Sequence, residues 1–441
     1  MPTTFRPYAP DQSLLLSANP REWLDEGHLS HFISDVVEEL DLSRFYERYE
    51  GDGRRASPYE PRMLLKVLIY GYATGVFSSR KLAKKLEEDV ALRVLGAGNF
   101  PQHRTICAFR KRHLEEFKEV FVQVVQIARE AQLVKLGVIA IDGTKVKANA
   151  SKHKAMSYGR MTEREAQLKA EIGELCAQAS RVDECEDEQY GESSRGDELP
   201  EELQRRESRL ATIRQAKARL EQAQREADEA RGRHPDDERK SPRGGRRFKR
   251  DFGVPEDQAQ SNFTDPESRI MKAADGYQQC YNGQLAVDDT HQLIVEAQLT
   301  AKASDNGELL ALIEGTEGNL GEAPTAVLAD AGYRNESDLE QLEHRAIEGY
   351  VSLGREGRDP ARIDAQTKPA TQRMAEKLGT AEGKARYARR KAIVEPVNGW
   401  IKHVLGFRQF SVRGLQAAGG EWNLVCLALN LKRMHRLTAF A

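Results

Sequence analysis

Two short, unbroken apolar runs, each closed by an aspartate, constrain this chain more than any other feature. Leu136-Gly-Val-Ile-Ala-Ile141 stops at Asp142, and Thr325-Ala-Val-Leu-Ala329 stops at Asp330. Apolar runs this short, bounded by turn formers, predict buried strands. An acid at the end of such a strand is carried on rigid backbone, where several can be presented together. A third acid, Glu395, comes later in Lys391-Ala-Ile-Val-Glu-Pro-Val-Asn-Gly-Trp-Ile-Lys402, with lysines on either side.

Around these runs the pattern predicts strands at Val138–Ile141, Thr144–Ala150, Gln279–Val287, Leu293–Leu299 and Gly349–Ser352. It predicts helices over Asp305–Glu317, Asn335–His344 and the C-terminus. Strands interleaved with helices in this order suit an α/β fold in which a mixed sheet carries helices on its faces, a ribonuclease-H-like core. At 441 residues the chain suits two or three domains.

The first 130 residues read as helical. Trp23, Leu24, Phe32 and Ile33 anchor an N-terminal arm. Met63, Leu64, Val67, Leu68 and Tyr72 recur at helix spacing after Pro61, which suits a first helical turn. A short helix is expected over Arg80–Glu88, capped by Ser78 or Ser79. A Gly-rich turn at 96–101 then leads into one longer helix from about His103 to Ala131. On that helix Ile106, Phe109, His113 and Phe117 share one side, and Arg104, Ala108, Lys111 and Arg112 fall opposite. Two readings fit: a helix-turn-helix reader of DNA, or an ordinary amphipathic helix with a solvated basic face.

Between the second and third expected strands the composition changes. From about Thr162 to Arg231 the chain is rich in Ala, Glu, Gln, Arg and Lys. Leu168, Ile172 and Leu175 mark one helix, and Leu203, Leu210, Ile213, Leu220 and Ala227 mark another at two heptad positions. Asp183–Glu202, acidic and turn-rich, reads as an exposed tip or disordered loop. The whole of 155–260 reads as a helical hairpin inserted into a domain spanning 131–441. It closes on Arg239–Arg250, which holds seven Lys or Arg residues, among them Arg246 and Arg247. This is an expected phosphate-contacting arm.

Net charge is only −2, so bulk charge names no partner, but the basic clusters do. Cysteines 107, 176, 185, 280 and 426 form no CxxC pair and no zinc spacing, which fits a reducing cytosol. No apolar run reaches membrane-spanning length, and no leader is expected. His28 and His31 lack metal partners, so surface or capping roles are expected of them. Trp400 and Trp422 are expected in the core.

Three acids from distant positions, with basic neighbours at each, point to phosphodiester chemistry. Displacement at phosphorus builds charge on the attacking, leaving and nonbridging oxygens, and two divalent ions can stabilise both ends of an in-line reaction. Mg²⁺, for which Mn²⁺ can substitute, takes hard carboxylate ligands and leaves positions for water and phosphate. Lys145, Arg334, Lys391 and Lys402 are the expected phosphate contacts beside Asp142, Asp330 and Glu395. If Glu395 lies on a helix, Lys391, Asn398 and Lys402 share its face and Arg390 points largely away. Pro396 should start or kink that helix.

Ala140-Ile-Asp-Gly-Thr-Lys-Val-Lys-Ala-Asn-Ala-Ser151, Leu328-Ala-Asp-Ala-Gly-Tyr333 and Ile393-Val-Glu-Pro-Val-Asn-Gly-Trp-Ile-Lys402 resemble the three signature regions of bacterial insertion-sequence DDE transposases. The resemblance is to the IS-four/IS-five superfamily and its eleven-eighty-two branch. Gly406-Phe-Arg-Gln-Phe-Ser-Val-Arg-Gly414 is similar to the segment just after the glutamate in that branch, and Tyr59–Phe117 resembles the DNA-binding region. The resemblance implies that Asp142, Asp330 and Glu395 are catalytic metal-binding acids and that Lys402 contacts DNA phosphate. The superfamily's Tyr-Arg-Glu-Lys pattern has its arginine four before the glutamate, where this chain has Lys391. Arg390 lies one earlier, and Tyr387 eight before the glutamate. It further implies cleavage at element ends, strand transfer into double-stranded target DNA without ATP, a homodimer or higher assembly on DNA, and a bacterial cytoplasm with nucleoid association. A nuclease that cuts without joining and a catalytically silent DNA-binding protein are the alternatives.

Overall fold

Apolar residues at helix spacing build the N-terminal part of the computed structural model, which describes residues 19–49, 58–190, 201–237, 250–273, 275–354 and 366–438. His28 caps α1 (Leu29–Glu38), its ring nitrogen accepting from the Ser30 backbone N–H at 3.2 Å. Next along the chain are α2 (Ser43–Glu47), α3 (Pro61–Ala73), α4 (Ser79–Glu88) and α5 (Val90–Leu95). Pro61 opens α3, whose residues are almost all buried because the helix is covered on several sides. Each fully buried Leu or Ile there contributes roughly 1.5–3 kcal/mol. Ser78 precedes α4 without a capping side-chain bond.

The single helix expected from His103 is two, α6 (His103–Arg112) and α7 (Glu116–Glu130). The break falls at His113, whose backbone leaves helical geometry while its buried ring packs on Phe45 and Phe109. Ile106, Phe109, His113 and Phe117 are buried, as their spacing predicts, and Arg104, Ala108 and Lys111 are exposed.

The expected strands at Val138–Ile141 and Thr144–Ala150 are one continuous strand, β1 (Val138–Lys147). Asp142 and Gly143 therefore sit inside a strand and not at its end. The reason is pairing. Every residue from Ile139 to Lys147 has a partner on the long strand Gly276–Asp288, so the ladder carries the chain through the polar Asp-Gly-Thr step.

After β2 (Ala155–Ser157) come the two insertion helices, α8 (Tyr158–Tyr190) and α9 (Glu201–Ala230). Helix persists through Asp183–Tyr190, which composition alone reads as tip or loop; 191–200 lie outside the described residues. The hairpin has a small core of its own, Met161, Leu168, Leu210, Ile213 and Ala216, separate from the main one. β3 (Gln260–Asn262) pairs antiparallel with β2 and closes the insertion. At its base Asp228 accepts from Arg250 Nη2 and the Gly253 N–H, each at 3.0 Å.

The rest is β4 (Arg269–Ala273), β5 (Gly276–Asp288), β6 (Ile294–Thr300), α10 (Leu309–Leu320), β7 (Ala326–Ala329), α11 (Glu336–His344), β8 (Glu348–Val351), α12 (Pro369–Gly379), α13 (Ala381–Gly399) and α14 (Leu415–Thr438). The sheet runs β4, β5, β1, β7, β8, with β6 also on β5. β1 is antiparallel to β5 and parallel to β7, and β7 is parallel to β8. This mixed sheet with helices is compatible with a ribonuclease-H-like core. α14 packs against α3, α7 and β6, joining the N-terminal helices and the sheet in one apolar core. Its Trp422 is fully buried beside Gly283, where a Cβ would lie 2.7 Å from the indole. No helix among the described residues is long and apolar enough to cross a membrane.

Candidate active site

Parallel pairing of β1 with β7 sets Val138 against Ala326 and Ala140 against Leu328. Asp142 follows two residues after the last position of β1 paired with β7, and Asp330 two residues after that of β7, near enough for its charge to act on Asp142. Asp330 comes directly after the last residue of β7 and caps the single turn Ala331–Tyr333, its Oδ1 accepting from the Gly332 N–H at 2.8 Å. Asp142 Oδ1 accepts from the Gly143 N–H at 3.0 Å, and its Oδ2 accepts from Asn398 Nδ2 at 2.9 Å. Burial pushes the Asp142 carboxyl up to about 6; the Arg390 charge opposes this, and Asp330 adds to it.

Glu395 lies on α13, which continues through Pro396 into a π-helical turn, Trp400–Val404. Pro396 neither starts this helix nor ends it. The Ala392 carbonyl, which a residue with an N–H at 396 would engage, accepts instead from Gln292 Nε2 at 2.7 Å. Asn398 on α13 and Lys402 in the π-helical turn both come near Asp142 of the sheet. Burial lowers the Lys402 ammonium, with Cys280 and Asp142 opposing and Lys145 adding to the shift.

Arg390 corrects the face assignment: it is 8% exposed and enters the site. Its Nη1 is 3.9 Å from Asp142 Oδ1 and its Nη2 is 4.0 Å from Glu395 Oε1. It also bonds Tyr387. Its Nε and Nη1 have no hydrogen-bond partner among the described residues. A buried guanidinium with open donors costs stability unless something accepts from it, and a phosphate oxygen is the acceptor whose geometry it fits. In the sequence Arg390 lies one position before the place where the superfamily pattern has its arginine.

The other expected contacts are dispersed. Lys145 Nζ is 3.2 Å from Asp305 Oδ1, an acid that no sequence motif singles out. Arg334 is exposed, with Nη1 donating to the Leu353 carbonyl at 2.6 Å. Lys391 is exposed on α13. Arg104 and Lys111 are exposed on α6, where the Arg112 guanidinium lies 5.0 Å from the Tyr49 ring centre. Arg246 and Arg247 lie outside the described residues.

No group of three or more His, Cys, Asp or Glu side chains among the described residues is close enough to hold a metal ion. Asp142 and Asp330 converge, but Glu395 stands off, its side chain 56% exposed with Arg390 between it and Asp142. The converged pair fits a hard divalent cation. Both offer hard carboxylate oxygens, and the proton affinity of Asp142 is raised partly by the Asp330 charge.

The sheet thus brings Asp142 and the Asp330 turn near the open donors of Arg390 and the half-buried Lys402. Residues 250–431 match the family described as Transposase DDE domain, and residues 18–112 match Transposase domain (DUF772). The chain belongs to the insertion-sequence DDE transposases. The DDE match takes in Asp330 and Glu395; Asp142 lies upstream, across the insertion. No curated protein and no solved structure gives a significant match.

Proposed function

We propose that this transposase cuts DNA at the ends of its element and transfers the freed strand into target DNA, with Asp142, Asp330 and Glu395 as its metal-binding acids. The observation that carries the reading is the nearness of Asp330 and of the open guanidinium of Arg390 to Asp142. Mg²⁺ (or Mn²⁺), when bound, supplies neutralisation of charge on the reacting phosphate and activation of the attacking oxygen.

The residues divide the remaining work. Asp142 and Asp330 hold the cation, and Glu395 completes the set. Asn398 orients Asp142 through its 2.9 Å bond. Arg390 and Lys402 turn their donors to the nonbridging phosphate oxygens, where charge develops during displacement. In the first step water attacks phosphorus and the bond to the 3′-oxygen breaks, leaving a 3′-hydroxyl and a 5′-phosphate. In the second, that hydroxyl attacks a target phosphodiester. One P–O bond forms as another breaks, so no ATP is consumed.

Residues 1–130 serve as a helical DNA-binding domain, 131–441 as the catalytic domain and 155–260 as its insertion. Two element ends must be cut together, which calls for a homodimer or higher assembly on DNA, with the helical hairpin as the candidate contact. The branch is the eleven-eighty-two group and the compartment the bacterial cytoplasm, at the nucleoid.

The test uses DNA carrying the gene's own flanks, end-labelled, with Mg²⁺ and an unlabelled target. Wild type should cut at defined ends and join label to target, and Asp330→Ala should do neither. Cutting that survives in Asp330→Ala would falsify the acid assignment. Cutting without joining would identify a nuclease, and binding without cutting by wild type a silent DNA-binding protein.

A further inference from the structure

We propose that Asp305 is a positioning residue for the active site, a fourth carboxylate that fixes the gap between the segments carrying Asp142 and Asp330. This rests on the assignment of those two acids to the metal. Asp305 lies in the turn between β6 and α10, with only 19% of its side chain exposed. Its Oδ1 accepts from Asn282 Nδ2 and Gln284 Nε2, each at 2.7 Å, and from Lys145 Nζ at 3.2 Å. Those donors stand on β5 and β1, so one oxygen gathers the two strands beside the site.

The carboxylate also fills space that two glycines leave open. A Cβ on Gly143 would lie 2.4 Å from Asp305 Oδ1, and a Cβ on Gly332 would lie 3.0 Å from Asp330 Oδ1 and 3.2 Å from Asp305 Oδ2. Neither glycine has a positive φ, so room and not backbone conformation explains them. Gly143 comes directly after Asp142, and Gly332 donates its N–H to Asp330 Oδ1. Asp305 is thus wedged between the residues that set both acids. The smallness of position two in Asp-Gly and position three in Asp-Ala-Gly is room for it.

A closed circuit locks the wedge. Tyr333, in the turn that Asp330 caps, is buried and donates its hydroxyl to Gln284 Oε1. That bond fixes which end of the Gln284 amide faces Asp305, so its Nε2 donates to Oδ1. From Asp330 the path runs through Tyr333 and Gln284 to Asp305, and back across the Gly332 contact. Asn282 also donates to the Lys302 carbonyl at 3.2 Å, tying the Asp305 turn to β5. Partners that orient metal-binding side chains typically change metal affinity about 10- to 100-fold when removed.

The test is Asp305→Asn in the full chain, with Mn²⁺ alone as the probe. Asparagine keeps an acceptor oxygen for the three donors and removes the charge. Thermal unfolding is followed across a Mn²⁺ series, with wild type and Asp330→Ala alongside. The expected result is an unchanged midpoint without metal and a Mn²⁺ concentration for half the stabilising shift that rises about 10-fold. An Asp305→Asn protein whose Mn²⁺ response matches wild type overturns the proposal, whether or not its metal-free midpoint has fallen. Should Asp330→Ala also respond to Mn²⁺ as wild type does, it is the acid assignment that fails.

Discussion

Two buried arginines, Arg110 and Arg390, are housed differently. Arg110, on α6, is 4% exposed, and its Nη1 donates to the Tyr72 hydroxyl at 2.9 Å and the Phe77 carbonyl at 2.8 Å. Its Nη2 reaches Ser79 Oγ at 3.3 Å, and Glu421 Oε1 stands 3.7 Å from Nη1. Glu421 in turn accepts from Tyr72 at 2.6 Å and from the backbone and hydroxyl of Ser411 at 2.7 and 2.6 Å. Arg390 is nearly as buried, yet its carboxylates stand at 3.9 and 4.0 Å and two of its nitrogens have no acceptor among the described residues. For Arg110 both terminal nitrogens have acceptors, and only Nε lacks a partner among the described residues. Where the acceptors are missing, the charge is kept for something that arrives later.

The contrast breaks if the two arginines respond alike to removal. Arg110→Ala strands Glu421 and Tyr72 and should cost about 3–5 kcal/mol in urea unfolding, with cleavage per folded molecule close to wild type. Arg390→Ala should behave in reverse, lowering cleavage about 10²- to 10³-fold while leaving the unfolding midpoint nearly unchanged. Arg390→Lys should restore little, since a point charge cannot reproduce the planar fork. A stability loss at Arg390 equal to that at Arg110 would make it another structural arginine.

A smaller effect sharpens the same comparison through pH. Asp142 binds its proton more tightly folded, at about 6, than at its ordinary 3.8. Its protonation therefore favours the native state below pH 4, and that contribution is lost as pH rises from about 4 to about 6. Without divalent cation, wild type should lose stability across this window, and Asp142→Asn should exceed it above pH 6 by roughly 2–3 kcal/mol. Unfolding curves from pH 4.5 to 8 in chelator, for both proteins, measure the difference; parallel curves would mean that Asp142 carries no such burden.

What the sequence made legible were the features with a local signature. The apolar runs announced the sheet, the heptad leucines announced the hairpin, and the buried side of α6 was set by helical spacing. Lost were features that depend on partners from elsewhere. Pairing with β5 carries β1 past Asp142, although Asp-Gly reads as a turn. Arg390 lies well round the helix from Glu395, but a long side chain reaches back to a helix face that the sheet covers. Asp305 had no pattern at all, because its donors are Lys145, Asn282 and Gln284, drawn from two strands across the insertion. The break at His113 belongs to the same class, its ring packing on Phe45 from α2.

The β2–β3 pair, at which the insertion enters and leaves, makes length a free variable. Both ends of the hairpin meet at one short ladder, Ala155 opposite Asn262. The hairpin has its own core, with Met156 and Phe263 from the β2–β3 ends packed against it. Two extra helical turns in each arm would extend its reach by about 11 Å without moving any strand by a residue. The sheet thus keeps a constant gauge while the arm acts as an interchangeable fitting.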